Sequence, residues 1–213
     1  MRSVQVFCHS QLYITERASN QCATFNIVAR IRPVDLSSFF ITRSFIELSF
    51  NGSTRLQRSS RFMKTLLVLR HAKSSWKDSS INDHDRELNQ RGRCNAPRMG
   101  QLLRDEGLIP DIILSSTATR ARETTEAVVD SSGFHGELQF SSAFYLASSD
   151  VWIEALVLLS QEYKQVMIVG HNPGLEILVE QLTGCEETFP TAALAHIQLM
   201  VDHWTELSHQ PMA

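Results

Sequence analysis

From residue 64 onward the chain alternates short apolar runs with amphipathic stretches of helical length, and few architectures accept that alternation. Residues 64–69, 111–114, 137–140, 165–169 and 192–201 read as strands, being short, apolar or β-branched and bounded by polar or turn residues. Between them, Asn89 is placed to cap a helix reaching about residue 106, with Met99, Leu102 and Leu103 on one face, Pro97 inside it and Gly107 as its stop. Ser115, Ser116 and Thr117 offer an N-cap for a second helix to about residue 130. Residues 149–159 carry Ile153, Leu156 and Leu159 at helical spacing. Asn172 can cap a fourth helix with Pro173 in its first position, where a missing N–H costs nothing, and Gly184 ends it. Strands alternating with helices in this way predict an α/β fold with a mainly parallel sheet and helices on both faces. Ligands bind such sheets beyond the carboxyl ends of the strands.

The 213 residues suit one domain with an extension. Charge divides the chain at about residue 62. Residues 1–62 hold eight Arg, no Lys and three acids, a net of +5, whereas residues 63–213 hold 12 bases and 20 acids, a net of −8. The first segment, with ten Ser and little periodicity beyond a strand-like run at residues 44–50, has the composition of a disordered import leader. The alternative is that the functional unit starts at Met63 and the rest is a gene-model extension. A real leader implies plastid or mitochondrion; a true start at Met63 implies the cytoplasm. The acidic body disfavours non-specific nucleic-acid binding, which needs clustered cations. No run of 18 apolar residues exists to span a membrane. Cys8, Cys22, Cys94 and Cys185 lack CxxC or Cys/His spacing, so they read as reduced thiols, without a zinc site or a disulfide framework.

Three polar clusters fall where strands should end: Arg70-His71 after the first, Ser115 to Arg120 after the second, and His171-Asn172 after the fourth. A neutral imidazole on a rigid strand end can attack phosphorus through one nitrogen if the other ring N–H is held, usually by a backbone carbonyl. Arg120 falls in the first turn of a helix, where backbone N–H groups and the dipole favour an anion. Arg122 reads as a solvated residue able to pair with Glu126 at i+4. His171 stands before a helix N-terminus and could donate to phosphoryl oxygens. Each cluster alone has an ordinary structural explanation, a polar strand edge or an Asn-Pro-Gly turn. Two histidines and two arginines converging from separate strands do not.

In four ordered blocks the chain resembles the histidine phosphatase superfamily, and within it the small phosphohistidine-phosphatase branch. The blocks are Leu69-Arg70-His71-Ala72-Lys73-Ser74-Ser75-Trp76, the run from Asp85 to Gly92, the run from Ser115 to Thr124 with Thr119-Arg120-Ala121-Arg122, and Gly170-His171-Asn172-Pro173-Gly174. The resemblance covers residues 63–213 and implies a three-layer α/β/α sandwich acting without metal or cofactor. It makes His71 the phosphorylated nucleophile, Arg70, Arg120 and His171 the rest of the phosphate pocket, and Ser74 and Asn172 secondary substrate-binding candidates. Ala72 stands where the widespread motif has Gly, which resembles the small branch.

Larger members carry a carboxylate general acid in mid-domain, but residues 138–149 contain none. An alkoxide leaving group needs such an acid, worth about 10²- to 10⁴-fold, and an imidazole leaving from phosphohistidine needs it far less. Asp78, Asp83 and Asp85 are alternative acids from the loop after Trp76; Asp85 and Arg86 are expected to organise that loop. The implied activity is hydrolysis of phosphohistidine or a related phospho-substrate through a covalent phosphohistidine intermediate, on a phosphorylated protein or a small phosphorylated metabolite. Hydrolysis of small phosphate esters and non-catalytic phosphate binding remain the alternatives.

Overall fold

The computed structural model describes residues 64–209 together with the backbone of two short strands, β1 (Ser10–Ile14) and β2 (Ile27–Ile31). The remaining elements are β3 (Lys64–Arg70), α1 (Gln90–Asp105), β4 (Ile112–Ser116), α2 (Thr119–Ser132), β5 (Glu137–Ser141), α3 (Ser149–Val157), β6 (Gln165–Gly170), α4 (Gly174–Thr183) and β7 (Leu194–Leu199). The sheet order is β1-β2-β7-β3-β6-β4-β5. Strands β3, β6, β4 and β5 are mutually parallel and β7 runs antiparallel to β3, which gives the mainly parallel central sheet that the alternation predicts.

Alternate side chains of the strands enter opposite cores, as a pleat with a period of two requires. Leu66, Val68, Ile112, Leu114, Val166 and Ile168 face Trp152, Leu156, Leu175 and Leu178 of α3 and α4. Leu67, Leu69, Ile113, Met167 and Val169 face Met99, Leu103 and Val128 of α1 and α2. Both sheet faces are therefore covered, and the molecule is a three-layer α/β/α sandwich.

The strand-like run at residues 44–50 lies outside the described residues. β1 and β2 were not anticipated in the Arg- and Ser-rich segment; β2 lies parallel against the outer edge of β7, and Val28 and the two isoleucines of Ile27-Val-Ala-Arg-Ile31 suit a strand. Two helix starts also differ from expectation. Ser115 and Ser116 belong to β4, where they pair with Phe140 and Ser141 of β5, so α2 begins at Thr119 with Ala118 as its cap. Ser116 still serves the entry, its Oγ accepting from the Ala118 N–H at 3.2 Å. α4 begins at Gly174 with Pro173 as its cap, and Asn172 Nδ2 instead donates to the Phe189 carbonyl at 2.9 Å.

Asn89 caps α1 as expected, accepting from the Gly92 N–H at 2.9 Å. Cys94 is in no disulfide, but Cys185 is disulfide-bonded, so the expectation of reduced thiols fails there; spacing along a chain does not report proximity in a fold. Among the described residues no helix is long and apolar enough to cross a membrane.

Candidate active site

Parallel registry brings the predicted clusters together. Arg70 of β3 pairs with Gly170 of β6, so the residues that follow them, His71 and His171, leave the sheet side by side, their ring centroids 5.0 Å apart. Gly170 is needed for that arrangement, because a Cβ there would lie 2.7 Å from the Trp152 ring beneath it. β4, on the other side of β6, delivers Arg120 in the first turn of α2, and Arg120 Nε–H points at His71 Nε2 at 3.3 Å. Arg70, His71, Arg120 and His171 thus share one end of the sheet, at the carboxyl edges of three parallel strands.

His71 is buried, and its Nδ1–H donates to the Ala72 carbonyl at 2.8 Å. A carbonyl can only accept, so that contact fixes the tautomer and leaves the lone pair on Nε2. Burial is the largest influence on the ring and lowers its pKa; the Ala72 carbonyl acts in the opposite sense, the charges of Arg120, Arg70 and Arg86 depress it further, and the result is about 4. Desolvation outweighs the neighbouring cations as the cause.

His171 is buried too, and burial first, then His71 and Arg120, lower its pKa to about 3 against the opposing pull of Asp83. In the free protein it is a neutral ring, not a cation. Its Nε2 lies 2.9 Å from Ser116 Oγ, while Nδ1 is buried without a hydrogen-bond partner. Nε of Arg70 is likewise buried and unpartnered, while its Nη1 donates to the Phe189 carbonyl. Buried polar atoms are normally satisfied, so these unpartnered nitrogens at the sheet edge stand out.

The secondary candidates are engaged with protein. Asn172 Nδ2 joins Arg70 on the Phe189 carbonyl, and the Ser74 hydroxyl accepts from Arg86 Nη2. Arg122 does not pair with Glu126 in the described contacts; its guanidinium stacks 4.1 Å over the Phe140 ring, because β5 runs beside the start of α2.

Sequence reasoning underrates the loop after Trp76. Arg86 is 7% exposed and holds that loop together: Nε donates to the Ser75 carbonyl at 3.0 Å, Nη1 to Asp83 Oδ1 at 2.5 Å, and the guanidinium lies 3.3 Å from the Trp76 ring centroid. Arg86 is an organiser, as expected, but its carboxylate partner is Asp83 and not Asp85, which bonds His84 at 3.0 Å. Asp83 also takes Arg120 Nη2 at 2.9 Å and the Tyr145 hydroxyl at 2.7 Å. Its partial burial pushes the carboxyl up, but Tyr145, Arg120 and Arg86 outweigh that and hold it at about 2. Tyr145 carries no sequence signal at all, since nothing local marks a residue from a distant loop.

The block from Asp85 to Gly92 has a positional purpose. The Asn89 N–H donates to the Lys73 carbonyl at 2.9 Å, and a Cβ on Gly92 would stand 2.3 Å from that same oxygen. Only glycine lets α1 press against the segment that follows His71.

Fold and site together define an α/β protein with two histidines and two arginines gathered at the carboxyl edge of its sheet. Comparison with known proteins gives that class a family. Residues 66–143 match the model of the histidine phosphatase superfamily, branch 1. An uncharacterized chloroplastic protein of Arabidopsis thaliana is 32% identical over 97% of this chain and 89% of its own length. A crystal structure assigned as the phosphohistidine phosphatase SixA of Agrobacterium tumefaciens is 34% identical, covering 63% of this chain and 91% of its own with a TM-score of 0.59. A second SixA structure, complexed with tungstate, shares the fold at 20% identity with a TM-score of 0.57, over 63% of this chain and 96% of its own. The chain belongs to the histidine phosphatase superfamily, and its structural likeness is to the SixA branch.

Proposed function

We propose that this protein hydrolyses phosphohistidine by transferring the phosphoryl group to His71. The observation that carries the reading is the state of that ring: neutral, buried, anchored through Nδ1–H to the Ala72 carbonyl, with the Nε2 lone pair among guanidinium groups. In the first step Nε2 attacks phosphorus in line, the substrate P–N bond breaks, and its electron pair leaves with the substrate imidazole. Arg70 and Arg120 hold the equatorial oxygens through charge-assisted hydrogen bonds, each worth about 1.5–3 kcal/mol. With Ser116 donating to Nε2 of His171, the neutral ring carries its proton on Nδ1 and gives a hydrogen bond to the same oxygens. In the second step water attacks the phosphorus of phosphorylated His71, the new P–N bond breaks, and inorganic phosphate departs.

The leaving group separates phosphohistidine from ordinary esters. Asp83, the carboxylate facing the pocket arginines, is held ionised at about 2 and has no proton to give at neutral pH. An alkoxide deprived of general acid loses about 10²- to 10⁴-fold, while a substrate imidazole protonated on its distal nitrogen leaves as a neutral ring. The likeness to the Agrobacterium chain assigned as a phosphohistidine phosphatase supports the same substrate class. A phosphohistidine peptide should therefore exceed sugar phosphates in kcat/KM by on the order of 10²-fold. A preference for the sugar phosphates would overturn the substrate assignment.

Residues 1–62 fit the reading as an organellar import leader, being Arg-rich and acid-poor, with a chloroplastic relative aligned across 97% of the chain. Mass spectrometry of the mature protein should then find an amino terminus close to Met63, with β1 and β2 leaving the sheet edge at β7 along with the leader; an intact residue 1 in the organelle-free cytosol would remove the leader.

A further inference from the structure

Each nitrogen of the Arg120 guanidinium already makes a contact within the free protein. Nε faces His71 Nε2 at 3.3 Å, Nη2 donates to Asp83 Oδ2 at 2.9 Å, and Nη1 donates to the Asp83 backbone carbonyl. The phosphoryl oxygens that Arg120 is to hold would find one residue already on the fork. That residue stands in a short 3-10 turn, Asp83–Asp85, on a largely exposed loop, and its side chain is 43% exposed. Its carboxylate is gripped by Arg120, Arg86 and the Tyr145 hydroxyl, three donors on one anion.

We propose that Asp83 is a specificity-determining residue, a resident anion that an incoming phosphoryl group must displace from Arg120. The inference rests on the assignment of Arg120 to the phosphate pocket. A carboxylate presents two oxygens to a guanidinium much as a phosphoryl group does, so the two compete for one fork geometry. Only the fraction of molecules with Arg120 released binds the substrate at full strength, and the apparent affinity falls by that fraction. The competition discriminates against weak monoanions, which cannot outbid Asp83, and it helps to expel product phosphate once the phosphoenzyme has hydrolysed. Arg86 keeps Asp83 tethered to Ser74 and Ser75 through its other nitrogens, so displacement at Arg120 does not release the loop from the site.

Calorimetric titration of the full chain with inorganic phosphate tests this without requiring turnover. Asp83→Asn should tighten phosphate binding about tenfold, the gain expected when a competent fraction of about one tenth becomes dominant. KM for a phosphorylated substrate should fall with it, and product inhibition should rise. Asp85→Asn removes the same charge two residues away, from a carboxylate bonded to His84 and not to Arg120, and should change phosphate binding by less than about twofold. Tyr145→Phe deletes one of the donors gripping Asp83 and should tighten binding in the same sense as Asp83→Asn but by less, which keeps the question decidable if the Asn variant folds poorly. Unchanged or weaker phosphate binding in Asp83→Asn and Tyr145→Phe, or equal tightening in Asp85→Asn, would overturn the proposal. The two readings can fail separately: tightening without a phosphoenzyme would sink the covalent mechanism alone, and a phosphoenzyme without tightening would sink the resident anion alone.

Discussion

His71→Ala is expected to reduce turnover of phosphohistidine by on the order of 10⁴-fold or more, because the proposed chemistry runs through a bond to that ring and no second nucleophile stands in its place. The loss should appear in kcat, with the fold intact, since the imidazole makes one backbone hydrogen bond and sits at the sheet edge and not in either core. The same ring dictates a pH dependence. A folded pKa depressed to about 4 means that His71 stays neutral as the solution is acidified past the ordinary histidine value of about 6.5, and gains its proton only as the pH falls through about 4. An NMR titration of the His71 imidazole should therefore show no inflection between pH 6 and 7. An ordinary titration there would remove the buried, preformed nucleophile from the account.

Arg120→Lys is the second large effect, expected to lower kcat/KM by roughly 10²-fold, in the range seen when one transition-state donor is lost. Arg120 does three things at once: Nε faces the nucleophile, Nη2 and Nη1 form the fork, and its charge helps to keep His71 unprotonated. An ammonium supplies charge alone, without the planar pair of donors. Wild-type turnover in the Lys variant would show that charge suffices and that the fork has no function. Thermal stability provides the control, because loss of the Arg120–Asp83 pair also loosens the loop.

The four residues at the sheet edge were legible because each stands directly beyond an apolar run or a helix start, and parallel pairing converts those separate positions into neighbours. The Arg70–Gly170 register is the physical form of that inference. The anchoring of the His71 N–H by a carbonyl was also expected from the chemistry, although the carbonyl's owner, Ala72, was not. What stayed hidden is what depends on loops. Asp83 read as one of three weak acid candidates and is instead an ionised partner of two arginines and a tyrosine. Tyr145 and Phe189 touch the site from positions whose distance to it no local pattern encodes. The helix caps at residues 115–117 and 172 fall elsewhere for a related reason: pairing with β5 holds the backbone of Ser115 and Ser116 in strand β4, and the bond from Asn172 Nδ2 to a distant carbonyl orients that side chain without a cap bond to α4.

Rapid quenching of the protein during turnover of a labelled phosphohistidine substrate, followed by mapping of the labelled peptide, addresses the covalent step most directly. The label should sit on His71, survive alkali, and be lost in mild acid, as a phosphoramidate is. Label on another residue, or turnover with no protein-bound phosphate in either wild type or His171→Ala, would contradict it.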